Sequence, residues 1–189
     1  MANYLKHLFN KYPFVSNSLI YGSLYVTAEC SQQFVTKKIL TEPPENLDKT
    51  SLVRYGIMGT CLYSPILYTW YKWLDRTLAG TTKKIVIKKL LLDQFFMTPQ
   101  LLVVFYTGMA VMEGADDFTA ELKEKFVPTF ARSCLFWLPA QTINFYWVPP
   151  RFRVVYVGTC SLMWANILCW VKRKNNNNAP KNAIENKIE

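Results

Sequence analysis

Charged residues are absent from five stretches of this chain, at positions 12–28, 55–71, 94–112, 133–150 and 154–171, each 17 to 19 residues long. A helix rises about 1.5 Å per residue, so roughly 20 mostly apolar residues cross a hydrocarbon layer about 30 Å thick. The stretches match that length. A surface helix of a water-soluble protein carries charge every three or four residues on its wet face. Five charge-free intervals in 189 residues therefore predict helices embedded in a membrane.

Breakers and polar runs set the expected boundaries. A first helix begins after Pro13, runs through "SNSLIYGSLYVTAECSQQFV" and continues to about residue 38, where "TEPPEN" stops it, because Pro43 and Pro44 cannot extend a helix. The second covers about 52–74 and contains Pro65, the third covers about 83–112 and contains Pro99, and the fourth contains Pro139. In a membrane bundle, neighbouring helices can satisfy the carbonyl that each proline frees, so kinked helices are expected. Between the third and fourth, "EGADDFTAELKEKF" reads as a short amphipathic, solvated helix through Phe118, Leu122 and Phe126. Residues 1–174 then form a single multi-span domain, and "NNNNAPKNAIENKIE", residues 175–189, a disordered polar tail.

Composition alone, at 51% hydrophobic residues, 15% aromatic residues and a mean hydropathy of +0.04, does not separate a membrane protein from an apolar soluble one. Placement says more. Tyr12, Tyr55, Tyr68, Trp70, Tyr71, Trp73, Tyr146, Trp147 and Trp170 lie at or near interval ends, where amphipathic rings favour the headgroup level. The net charge of +9 comes from 22 Lys and Arg residues spread over the connections rather than gathered on one face. This fits membrane topology better than nucleic-acid binding, and no direct nucleic-acid contact is expected. With four crossings one side collects 15 basic residues and the other 7; with five the split is 10 against 12. The positive-inside rule favours four, with both termini on the more positive side. The predicted class is an all-α, integral membrane helical bundle of four transmembrane spans. Interval 154–171 is left as a fifth, membrane-associated helix, interfacial or re-entrant.

Cys30, Cys61, Cys134, Cys160 and Cys169 have no CxxC spacing, and His7 is the only histidine. Buried thiols acting as small hydrophobes are expected. The N-terminal "MANYLKHLFNKYPF" carries Lys6, His7 and Lys11 with no acid before Glu29, a pattern compatible with a mitochondrial address. No HExxH, GxSxG, phosphate-binding loop or dinucleotide-binding motif occurs, so no catalytic residue, metal or cofactor is assigned.

Polar residues within or beside the apolar intervals remain, and these mark a path or a packing contact. At 100° per residue, Trp137, Gln141, Asn144, Phe145 and Val148 share one helix face. The two amides either line a solute path or bond between helices, and the second reading is slightly favoured. Asp93 and Gln94 open the third interval, where the carboxylate faces a pathway or pairs with a cation such as Arg153. Glu29, Gln32 and Gln33 are read as an interfacial, solvated face.

Several pieces occur in a recognisable order: "YG" and "E..QQ" in the first helix, "SPILYTWYKWLDR", "KKLLLDQFFMTP", "EG", "KFVPT", "WLPAQTINFYWVPPRFR" and a later Trp164. From about residue 4 to 174 the chain thereby resembles the Mpv-seventeen and peroxisomal membrane protein family. The matching positions are Trp70, Tyr71, Asp93, Gln94, Pro99, Trp137, Pro139, Gln141, Asn144, Phe145, Pro149, Arg153 and Trp164. Three positions depart from the family pattern: Ser64 stands where Gly commonly precedes Pro65, Glu29 where Asp is usual, and Leu138 separates Trp137 from Pro139.

The resemblance implies an integral protein of the mitochondrial inner membrane or, alternatively, the peroxisome, linked to reactive oxygen metabolism and mitochondrial DNA maintenance, with a proposed channel activity. The expectation is a channel or permeability modulator, not an enzyme, with Asp93, Gln94, Gln141, Asn144 and Arg153 as the polar lining. Its partners would be the lipid bilayer, an unspecified small solute or ion, and further copies of itself. The rival is a non-transporting scaffold that binds a partner through "TTKKIVIKK" or the tail.

Overall fold

The computed structural model describes residues 11–39 and 46–178, the last twelve of these as backbone only. Five helical segments account for nearly all of it. α1 is Pro13–Gln33 with a π-helical continuation, Phe34–Ile39. α2 is Lys49–Ile57, a π-helical stretch Met58–Tyr63, and Ser64–Thr77. α3 repeats that design with Lys83–Leu92, Asp93–Met97 and Thr98–Glu113. α4 is the unbroken Ala120–Trp147, and α5 is Arg153–Asn178 after a 3-10 turn at Pro150–Phe152.

The first three helices end within a few residues of the expected positions. The breaker "TEPPEN" and the N-terminal basic segment fall largely outside the described residues. The short solvated helix expected near Leu122 is instead the first part of α4, which runs straight through Pro128 and Pro139. α5 continues to Asn178, four residues into the segment read as tail, and the rest of that segment lies outside the described residues.

The prolines of α2 and α3 share a solution. Pro65 and Pro99 each sit in the first α-helical turn after a π-helical stretch. A proline offers no N–H and its ring strikes the carbonyl four residues back, so a locally wider turn relieves the clash. Elsewhere the ends are set by local chemistry: Asp48 Oδ1 accepts hydrogen bonds from the Thr50 and Ser51 backbone N–H groups at the start of α2, and Gly114, at φ 70°, closes α3 in the left-handed conformation.

Each helix packs on the next, and α5 returns to pack most extensively against α1, so the five close around a central space. The second half of α2 also touches α5. α1 and α2 cross with almost no gap at Gly22 and Gly59. A Cβ on Gly22 would lie 1.8 Å from Thr60 Oγ1, and one on Gly59 would lie 2.8 Å from Tyr25 Cβ. Small residues of this kind let helix backbones approach closely without a solvent-driven force between them.

Beside an apolar core, many large apolar side chains face outward and a set of polar ones is buried. Leu135 is 83% exposed, and Leu19, Val53, Phe95, Val111 and Val127 also face outward. Asn17, Gln33, Lys89, Gln94, Gln141, Asn144 and Arg153 are buried. Among the described residues, α3 over Lys83–Glu113 is the one helix long and apolar enough by itself to cross a membrane. Two expectations from the sequence need correction here. Trp70 and Tyr71 belong to the core rather than to a headgroup belt, whereas Trp147 is 72% exposed. Of the described thiols only Cys160 is buried, and Cys61 is exposed.

Candidate functional site

Sequence spacing brings polar groups from separate helices to one place. On α3 the buried positions Val86, Lys89, Asp93 and Met97 recur at three- and four-residue intervals, so one stripe of that helix points inward. On α4, Gln141, Asn144 and Phe145 do the same. α2 contributes Trp70 and Tyr71.

Asp93 is the centre of the network. Trp70 Nε1 donates to its Oδ1 at 2.9 Å, and Gln141 Nε2 donates to its Oδ2 at 2.6 Å. The same Gln141 nitrogen donates to Tyr71 Oη at 2.7 Å, and Asn144 Nδ2 donates to Gln141 Oε1 at 2.7 Å. Three helices are thus tied by three hydrogen bonds, with the Asn144–Gln141 bond inside α4 orienting the Gln141 amide. Asn144 has 0% exposure, and its Oδ1 has no partner among the described residues.

Gln94 turns to the other side, donating to Ser133 Oγ and Cys134 Sγ, both at 3.2 Å. It ties α3 to α4 about two helical turns along α4 from Gln141. Trp70 is held between Trp73 and Phe96, with ring centroids 5.2 and 5.6 Å away.

A cavity of about 390 Å³ opens above this network and receives side chains from all five helices. Asp93, Tyr71 and Gln141 form part of its lining. Tyr21, Tyr25, Tyr55 and Tyr63 add an aromatic wall, with centroid separations of 5.4 to 6.4 Å from ring to ring. Trp137 and Trp164 line it from α4 and α5. The inserted Leu138 therefore leaves Trp137 on the same face as Gln141.

Arg153 does not pair with Asp93. Its guanidinium and the Lys89 ammonium both bind Asp75 Oδ1, Lys89 at 2.8 Å, and Arg153 Nε also donates to Val148 O at 3.3 Å. Phe145 lies against both cations, 5.8 Å from Lys89 Nζ and 5.4 Å from the Arg153 carbon. Arg153 is 3% exposed and lies outside the lining of that cavity, while the neighbouring Arg151 is exposed. Pro139 and Pro149 lie at the surface, and Pro99 is half-buried.

Glu29 and Gln33 also depart from the solvated face expected of them. Both are buried: Gln33 Nε2 donates to Glu29 Oε1 at 2.8 Å, Ser51 Oγ donates to the same oxygen at 2.6 Å, and Gln33 Oε1 accepts from the Asp48 backbone N–H at 2.6 Å. They fasten α1 to the start of α2, and Gln32 stays half-buried. Sequence reasoning missed Asp75 and Lys89. Asp75 was visible as the only acid between Asp48 and Asp93, and Lys89 as the residue one turn before Asp93.

Comparison with known proteins gives this arrangement a family. The chain is 34% identical over 167 residues to the Mpv17-like protein of Xenopus laevis, an alignment covering 88% of this chain and 80% of the relative. The chain belongs to the Mpv17 / PMP22 family. Residues 110–169 match the Mpv17 / PMP22 family profile directly. Protein sym1 of Aspergillus oryzae (strain ATCC 42149 / RIB 40) is 30% identical over 158 residues, covering 83% of this chain and 87% of its own length. Peroxisomal membrane protein 2 of Bos taurus is 29% identical over 167 residues, with coverage of 87% and 85%. No solved structure matches the chain. Membership in the Mpv17 / PMP22 family makes this an organelle membrane protein, in keeping with its many outward-facing apolar side chains and its buried polar network.

Proposed function

We propose that this protein is a channel or permeability modulator of an organelle membrane, with the central cavity as its solute chamber. One observation carries the proposal. A space of about 390 Å³, walled by tyrosines, Asp93 and Gln141, lies inside a bundle whose outer surface is apolar. Polar groups are costly to bury among membrane helices, and they mark paths as well as contacts. We read the bundle as four transmembrane spans, with α5 as a fifth, membrane-associated helix packed along α1. Asp93, Gln94, Gln141 and Asn144 act at the chamber or beside it, while Arg153, held by Asp75, lies outside its lining. The mitochondrial inner membrane is the proposed site, supported by the basic, acid-free N-terminus; the name of the bovine relative supports the peroxisomal alternative. Roles in reactive oxygen metabolism and mitochondrial DNA maintenance follow from the family resemblance.

Purified full-length protein in planar bilayers tests the channel. Conductance or solute flux above that of protein-free bilayers is expected; none at any potential or redox condition would remove the proposal. A second reading, in which the polar core only holds the helices together, is favoured by the full engagement of Gln141 in hydrogen bonds. The double variant Gln141→Leu with Asn144→Leu separates the two. Loss of flux with normal insertion and thermal stability supports the path, and loss of insertion or stability supports the contacts.

A further inference from the structure

A second cavity, of about 360 Å³, lies at the other end of the polar core, between the α2–α3 connection and the end of α4. Its charged lining is Lys89, Arg153 and Asp75. Lys89 is 2% exposed and Arg153 is similarly buried, and a single carboxylate oxygen serves both. Two cations against one anion leave one positive charge uncompensated, in a place where its image in water is largely lost. Donors are in surplus as well. Lys89 uses one of its three N–H groups and Arg153 two of its five in the contacts present. The remaining walls are mostly apolar, formed by Ala79, Phe145, Trp147 and the Val148–Pro150 turn, with Thr81 and Tyr146 adding hydroxyls. The exposed Trp147 and the exposed basic residues Lys72, Arg76 and Arg151 place this mouth at a membrane–water boundary.

We infer that the Asp75–Lys89–Arg153 cavity is a binding site for a phosphate group, with an anionic phospholipid headgroup as its occupant. A phosphate supplies the second negative charge and accepts the unused N–H groups, and a guanidinium binds it in a bidentate manner. The apolar walls suit the glycerol and first acyl carbons that follow a lipid phosphate. Basic pockets between membrane helices bind lipid headgroups on the same physical grounds. The inference is independent of whether the central cavity conducts.

Native mass spectrometry of the full-length protein in a neutral detergent, titrated with phosphatidic acid or with phosphatidylcholine, measures the site. Phosphatidic acid, whose phosphate monoester carries more negative charge and no compensating choline cation, is expected to be retained about ten-fold more tightly than phosphatidylcholine. Lys89→Met leaves a balanced Asp75–Arg153 pair, so the protein folds, and the preference falls. Thr81→Trp, at an exposed position on the rim, fills the cavity without touching the triad and weakens phosphatidic acid retention in the same way. Lys84→Gln, exposed and outside the cavity, leaves retention unchanged. Displacement of phosphatidic acid by millimolar inorganic phosphate would assign the site to free phosphate, and resistance to it assigns the site to lipid. Equal retention of the two lipids would overturn the inference, as would unchanged retention in both Lys89→Met and Thr81→Trp, or a loss in Lys84→Gln equal to theirs.

Discussion

Asp93 and Asp75 are two inward-facing carboxylates satisfied in opposite ways. Asp93 takes its hydrogen bonds from neutral donors, an indole and an amide, and borders the large cavity. Asp75 takes both of its bonds on one oxygen from two cations, and its Oδ2 has no partner among the described residues. The first arrangement holds one carboxylate among dipoles that can re-form with a solute. The second holds two cations on one anion, an arrangement that fails when that anion is removed. One end of the core is therefore suited to exchange, and the other to locking α2, α3 and the start of α5 together.

The largest effect expected from breaking this comparison is that of Asp75→Asn. Removing the shared anion leaves Lys89 and Arg153 buried together, and the loss of one partner of a buried pair typically costs about 3–5 kcal/mol. Thermal unfolding in detergent should show a marked drop, and adding Lys89→Met should recover most of it, a coupling that independent sites do not show. Next comes Gly22→Val at the α1–α2 crossing, where the side chain has no room. Overpacking of this kind costs about 1–3 kcal/mol, and the same unfolding measurement reads it.

Trp70→Phe keeps the ring stack but removes the donor to Asp93. Leaving a buried acceptor short of one bond costs about 1–3 kcal/mol, so a smaller fall in the unfolding midpoint is expected than for Asp75→Asn. Smallest is Asp93→Asn. The amide oxygen still accepts from Trp70, Gln141 and Asn144 rotate together so that Asn144 Oδ1 accepts from Gln141, and stability changes by about 1 kcal/mol or less. If Asp93→Asn proved as damaging as Asp75→Asn, the distinction between the two carboxylates would collapse.

The helices themselves were legible because charge-free intervals and prolines bound them directly. The α4 amides could be placed on one face because helical spacing alone decides which side chains point together, and Gln141 with Asn144 do so. The inward direction was harder to read. In an apolar surrounding, hydrophobicity does not separate inside from outside, so Trp70 and Tyr71 read as interfacial although they are core. Glu29 and Gln33 read as solvated although they fasten α1 to α2. Arg153 was offered as a cation for Asp93, but the choice of Asp75 instead depends on how α2 crosses α5, which no local pattern encodes. The fusion of the Leu122 segment into α4 was hidden for a similar reason: its charged residues read as a separate solvated helix, and the continuation through Pro128 is tolerated in a membrane bundle.

The central claim is that the large cavity is a passage rather than a packing defect. Ser161 on α5 lines that cavity and lies outside the Asp93 network, so Ser161→Trp fills the space while leaving the four network bonds in place. Solute flux into proteoliposomes carrying equal amounts of wild-type and Ser161→Trp protein is the most direct test. Wild-type flux above that of empty vesicles, reduced to the empty-vesicle level in Ser161→Trp at unchanged thermal stability, is the predicted result. Equal flux in the two would contradict it.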